Sequence, residues 1–260
     1  MTFGMNRKLI GRLVVILSKI LSKENVKIIT LANRGYLHFT RNCIKSLERL
    51  GITDLLKVYC VDKECYDELG KNYQKIEMID SQYNKNVSGL CKYPRCDSMT
   101  NTNFKNVVFL KFVAIHNALK SSNVLFVDSD VVFLDVGFLE YLIDNIKDNE
   151  ILFQSETTGD GKNAPCSGLM YMKNTSEVKN FFDPSVVICD KKWIENVGDQ
   201  DYVRENKNKL RHDYMDVKLF PNGRYFQKYR SEINPYMVHY NWCRPKQKLK
   251  IMSRTGAWFL

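Results

Sequence analysis

The feature that most constrains this chain is an apolar run that drives straight into acid. Residues Asn123 to Val127 read NVLFV, followed by Asp128-Ser129-Asp130 and then by Val131-Val132-Phe133. A short run of β-branched and large apolar residues with polar ends is the pattern of a fully buried strand. Such strands belong to parallel sheets covered by helices on both faces. In open α/β sheets the carboxyl ends of the strands line the ligand crevice, and Asp128 and Asp130 fall there. Two carboxylates two residues apart point the same way along an extended chain, and alone they repel. A hard divalent cation such as magnesium or manganese removes that cost. The plainer reading is a pair of surface carboxylates at a strand end; the apolar flanks favour the metal.

The rest of the chain alternates in the same manner. Residues 26–32 (VKIITLA) read as a strand that ends in the loop Asn33-Arg34-Gly35-Tyr36, and residues 39–50 as a helix stopped by Gly51. Further strands are predicted at 55–61, ending at Asp62, and at 76–79, 151–153, 168–172 and 216–220. Residues 81–103 are polar and form the longest expected loop. A helix over 104–120 carries Lys111 on its apolar stripe, where a lysine either snorkels out or meets an anion in a cleft. Another helix is expected to begin near Asp199. These signals predict an α/β fold: one domain over 25–260 with a mainly parallel central sheet flanked by helices.

Residues 1–24 stand apart. The run from Leu9 to Leu21 is interrupted by Arg12 and Lys19 and is too short to span a bilayer. Lys8, Arg12, Lys19 and Lys23 share one helical face, which predicts a basic amphipathic helix. Through residues 7–23 it either contacts an anionic membrane peripherally or docks on the domain's own core, with a signal-anchor as the third alternative.

The net charge is +10, with 44% hydrophobic and 26% charged residues, an ordinary globular composition that excludes disorder over most of the chain. A basic excess draws nucleic acid, acidic membrane or a phosphate-bearing substrate. No arginine-rich block interleaved with aromatics is present, so no nucleic-acid partner is expected. The eight cysteines form no Cys-x-x-Cys pair and no zinc-ligand spacing. Reduced thiols in a cytosolic setting are expected, with Cys60 and Cys166 buried, although Cys91 and Cys96 could bridge in an oxidising compartment. The Asn-x-Ser/Thr patterns at Asn86 and Asn174 are too short to establish secretion.

The segment NVLFVDSDVVFL resembles the Asp-x-Asp strand of the nucleotide-diphospho-sugar transferases of the GT-A fold, most closely the family of plant xylosyl-, arabinosyl- and galactosyltransferases. Other segments line up in order: Thr30 to Tyr36 as first strand and nucleotide loop, Val61-Asp62, Lys111, Ser167-Gly168 with Tyr171, Asp199-Gln200, Leu219 to Gly223, and His239 to Trp242. The resemblance runs from about residue 26 to 258. It implies a GT-A, Rossmann-like domain that transfers a sugar, with retention, from a UDP-sugar to a glycan or protein acceptor. Asp128, Asp130 and His239 would hold manganese or magnesium. Thr30, Asn33, Tyr36, Asp62, Lys111, Ser129, Ser167, Gly168 and Lys248 would contact the donor, while Asp199 and Gln200 would face the sugar ring. Arg244-Pro245 stand where the family usually has a glycine context, and Lys246 or Lys248 supplies the lysine that follows.

Plainer roles exist for several of these residues. His239 between Val238 and Tyr240 also fits an ordinary strand position, Asp199 fits a helix N-cap, and Trp193 and Trp242 fit either core packing or sugar stacking. Two rival functions fit parts of the sequence. A magnesium phosphatase of the haloacid-dehalogenase type also uses a buried strand running into Asp-x-Asp, but that motif usually lies near the start of the chain. A non-enzymatic module that binds polyanions or membranes fits the charge and leaves the buried carboxylates unexplained.

Overall fold

The computed structural model describes residues 25–84, 102–157, 159, 161–188, 198–243 and 245–260. The helix expected over residues 1–24, most of the expected loop at 81–103, Cys91, Cys96, Cys189, Trp193 and Asn86 lie outside them. Among the described residues no helix is long and apolar enough to cross a membrane.

The main sheet has seven strands in the order β3-β2-β1-β4-β7-β6-β8. These are β1 (Val26–Ala32), β2 (Leu56–Cys60), β3 (Ile76–Met78), β4 (Asn123–Val127), β6 (Ile151–Ser155), β7 (Pro165–Met172) and β8 (His212–Tyr214). The β3-β2-β1-β4 half is parallel, β7 runs antiparallel to both its neighbours, and β8 is parallel to β6. A second, two-stranded antiparallel sheet pairs β5 (Val131–Phe133) with β9 (Met237–His239).

Strand alternation divides the core. Ile28, Val58, Leu125, Val127 and Leu169 pack with α1 (Leu37–Leu50), α2 (Lys63–Gly70) and α4 (Gly137–Ile146). Ile29, Tyr59, Val124, Phe126 and Met170 pack on the other face with α3 (Thr102–Leu119), α5 (Ser176–Phe181) and α6 (Asp199–Asn206). The α1 helix stops at Gly51, whose φ of 72° is left-handed. The helices α7 (Gly223–Tyr229) and α8 (Pro245–Arg254) complete a third cluster around Phe39, Val238 and Tyr240. Asn42 fixes the tail there: its Nδ2 donates to the Ala257 carbonyl at 2.9 Å, and its Oδ1 accepts from Phe259 N–H at 2.7 Å.

The expected strand at 216–220 is a turn. The N–H groups of Leu219 and Phe220 return to the Asp216 carbonyl, and the Asp216 carboxylate accepts from Lys218 N–H at 2.7 Å. That side-chain bond offers the backbone an alternative to a ladder. The thiols of Cys43, Cys60, Cys65, Cys166 and Cys243 are free, and the first four are buried.

Candidate active site

Because β2, β1 and β4 are parallel neighbours, Asp62, Asn33 and Asp128 follow the same ends of adjacent strands. Next to β4, the antiparallel β7 brings in Ser167 and Gly168, and Asp128 N–H donates to the Gly168 carbonyl at 2.7 Å. The chain through Asp128-Ser129-Asp130 is not extended as expected. Val131 N–H donates back to the Asp128 carbonyl at 3.1 Å, and this turn makes the two carboxylates converge. The register of β5 with β9 then places His239 opposite Val131. One ligand atom each from Asp128, Asp130 and His239 lies within 4.8 Å of the others. His239 Nε2 stands 3.3 Å from Asp130 Oδ1 and 3.7 Å from Asp128 Oδ2.

The imidazole is aimed by a residue the sequence reading passed over. Gln154 Oε1 lies 2.8 Å from His239 Nδ1, and Gln154 Nε2 donates to the Phe220 carbonyl at 3.0 Å. With its amide nitrogen committed, Gln154 offers oxygen to the ring, so Nδ1 carries the proton and Nε2 turns toward the carboxylates. That is the usual second contact of a metal-binding histidine. Burial disfavours the imidazolium, but Asp130 outweighs it and raises the affinity of His239 for a proton. Two hard carboxylate oxygens and one imidazole nitrogen suit manganese or magnesium. Gly168 keeps the space open: a Cβ there would collide with the Asp128 carboxylate and stand 2.5 Å from His239 Cε1. Gln154→Leu should therefore weaken manganese binding by about 10–100-fold, read by calorimetry; unchanged affinity would mean that the ring needs no such anchor.

Two buried lysines face the acids. Lys111 does not snorkel out; its Nζ lies 2.6 Å from Asp199 Oδ2 and 3.3 Å from Asp128 Oδ1. Lys248, carried by α8, pairs with Asp130 and sits over the rings of Tyr36 and Phe39 at 5.4 and 5.5 Å. Burial alone would raise the carboxyl groups of Asp130 and Asp199. Lys248 and then His239 hold Asp130 well below the usual range, and Lys111 lowers Asp199. Burial works against the Lys111 ammonium, but Asp128 and Asp199 keep it charged.

The remaining candidates divide by what they touch. Gly198, not Asp199, caps α6, with the Asp201 carboxylate accepting from Gly198 N–H. Asp199 is the first helical residue, and its buried carboxylate accepts from Ser167 Oγ at 2.7 Å as well as from Lys111. Gln200 is spent on the β7 backbone, accepting from Ser167 N–H at 2.7 Å and donating to the Pro165 carbonyl. Ser129 Oγ donates to the Leu31 carbonyl at 2.7 Å and accepts from Thr40 Oγ1, a residue not anticipated. Thr30 is fully buried within β1. Asn33 accepts from Tyr36 N–H, and Asp62 accepts from Arg34 and Cys65 N–H, so both shape the loops after their strands. Trp242 is exposed rather than in the core. The missed Gln154 left only a weak signal, as the polar residue that directly follows the apolar run Ile151 to Phe153.

A model of the nucleotide-diphospho-sugar transferase family matches residues 52–252. A UDP-galactose:fucoside alpha-3-galactosyltransferase of Dictyostelium discoideum is 22% identical over 84% of this chain, which spans only 40% of that protein. Among solved structures, the galactosyltransferase LgtC in complex with donor and acceptor sugar analogs is 14% identical with a TM-score of 0.57, covering 89% of this chain and 95% of its own. The glycosyltransferase GlyE of Streptococcus pneumoniae TIGR4 is 17% identical over 84% of this chain and 55% of its own, with a TM-score of 0.51. At such identities the structural likeness speaks for the fold.

Proposed function

Because the chain belongs to the nucleotide-diphospho-sugar transferase family and has the GT-A glycosyltransferase fold, we propose that it transfers a sugar from a UDP-sugar to a glycan or protein acceptor, with metal assistance and retention of anomeric configuration. The observation that carries this proposal is the convergence of Asp128, Asp130 and His239 around a glycine that cannot bear a Cβ. In this reading the three residues hold manganese or magnesium, which when bound offsets the diphosphate charge and favours departure of UDP. Lys111 and Lys248 add fixed positive charge beside the same phosphates. Asn33, Tyr36, Asp62 and Ser129, at the strand ends, hold base and ribose, with Thr30 beneath them. Asp199 is kept ionised by Lys111 and oriented by Ser167. It faces the sugar ring, where a carboxylate steadies positive charge growing at the anomeric carbon. Gln200 fixes the β7 segment at Ser167 and Gly168 that bounds this space.

The name of the Dictyostelium relative makes UDP-galactose and a fucoside the first pair to try. Release of UDP from UDP-galactose, UDP-glucose and UDP-xylose should require manganese and rise when methyl α-L-fucoside or another accepted glycoside is added. NMR of the product should show the donor's anomeric configuration. An inverted product contradicts retention, and no UDP release from any of these donors contradicts the donor class. Family membership speaks against the phosphatase and against the non-enzymatic polyanion-binding module.

A further inference from the structure

We propose that Trp242, backed by Arg224, is the platform on which the acceptor sugar stacks; this rests on the transferase reading above. Trp242 is 54% exposed and has a φ of 61°. A bulky L-residue is strained in that left-handed conformation, and an exposed indole gains no core packing in return. The Arg224 guanidinium lies 4.1 Å from the centroid of its ring, covering one face. A ligand that stacks on this ring therefore takes the face opposite Arg224.

The backbone beneath the ring is held from two sides. Asn241 Oδ1 accepts from Gly223 N–H at 2.9 Å, and Asn241 Nδ2 donates to Glu156 Oε1 at 2.9 Å. A Cβ on Gly223 would collide with the Asn241 carbonyl oxygen, so the two segments approach as closely as a glycine allows. Strain retained in so fixed a frame is the usual mark of a recognition group.

Its place in the fold gives the substrate class. The proposed nucleotide side follows the ends of β2, β1 and β4, the proposed metal residues surround the end of β4, and Asp199, at the start of α6, is bonded to Ser167 of β7. Glu156 follows β6, on the far side of β7 from β4, and α7 carries Gly223 and Arg224. A sugar in transit lies between nucleotide and acceptor, so the acceptor enters from the β6 and α7 side, where Trp242 stands three residues past His239. The C–H face of a pyranose fits an open indole face.

The test uses the full chain with UDP and manganese, and saturation-transfer NMR with methyl glycosides of α-L-fucose, α-D-galactose, β-D-galactose and β-D-glucose. Trp242→Gly should weaken glycoside binding by at least about tenfold, leave UDP affinity within about twofold, and keep or raise the melting temperature because the strain is relieved. Trp242→Phe should retain part of the binding. Glycoside binding that survives Trp242→Gly, wild-type protein that binds none of these glycosides, or a lowered melting temperature overturns the platform while leaving the donor site intact. Failure of wild-type protein to bind UDP contradicts the transferase reading and takes this proposal with it.

Discussion

Gly168→Ala should abolish most manganese-dependent UDP binding while the protein stays folded. The added methyl would meet Asp128 and His239 at once. His239 is only 2% exposed and pinned by Gln154, whereas the Asp128 side chain is 37% exposed and can swing outward. The fold therefore yields at Asp128, at an overpacking cost of about 1–3 kcal/mol. The ligand set does not survive that shift. Displacing one ligand by about an ångström should reduce manganese-dependent affinity for UDP by roughly 100-fold. Calorimetry reads the affinity, and near-ultraviolet circular dichroism checks that the packing is native. A variant that binds UDP and manganese as the wild type does would remove Gly168 from the site.

Lys111→Met should be the costliest single change to stability. Lys111 is buried between Asp128 and Asp199, and the Asp199 side chain is only 11% exposed. Methionine fills much of the same volume but leaves the Asp199 carboxylate buried beside Ser167 without a cation. Breaking a buried pair from one side costs about 3–5 kcal/mol. For a chain of this size that corresponds to a melting temperature roughly 6–20 °C lower. Adding Asp199→Asn should restore much of the loss, because the stranded charge is then gone. A melting temperature unchanged in the single variant would contradict this account of the pair.

The sequence made some of this legible and hid the rest for physical reasons. β1, β2 and β4 are buried on both faces, so they read as unbroken apolar runs, and the alternation with helices follows. Lys111 was legible as a charge on an apolar stripe, and its two carboxylate partners explain why it lies there. Asp128 and Asp130 were legible as a pair, but the turn that joins them was not, because Asp-Ser-Asp carries no glycine or proline to announce it. The β5-β9 pairing joins three-residue strands more than a hundred positions apart, too short to carry a period. β8 (His-Asp-Tyr) lies at the sheet edge and shows no apolar alternation. The roles expected of His239, Asn33 and Asp62 came from resemblance. The structure sets His239 against the acids, and it shows Asn33 bonded to the backbone of its own loop and Asp62 to the backbone of both its own loop, at Cys65, and the neighbouring one, at Arg34.

Calorimetric titration of UDP into the wild type and into Asp128→Asn, with and without manganese, tests the central claim most directly. Asp128 is the most exposed of the three proposed ligands, so the substitution disturbs the fold least. The account predicts wild-type binding that depends on manganese and a variant in which manganese no longer enhances it. Equal manganese dependence in the two proteins would contradict the assignment of Asp128, and with it the metal site as drawn.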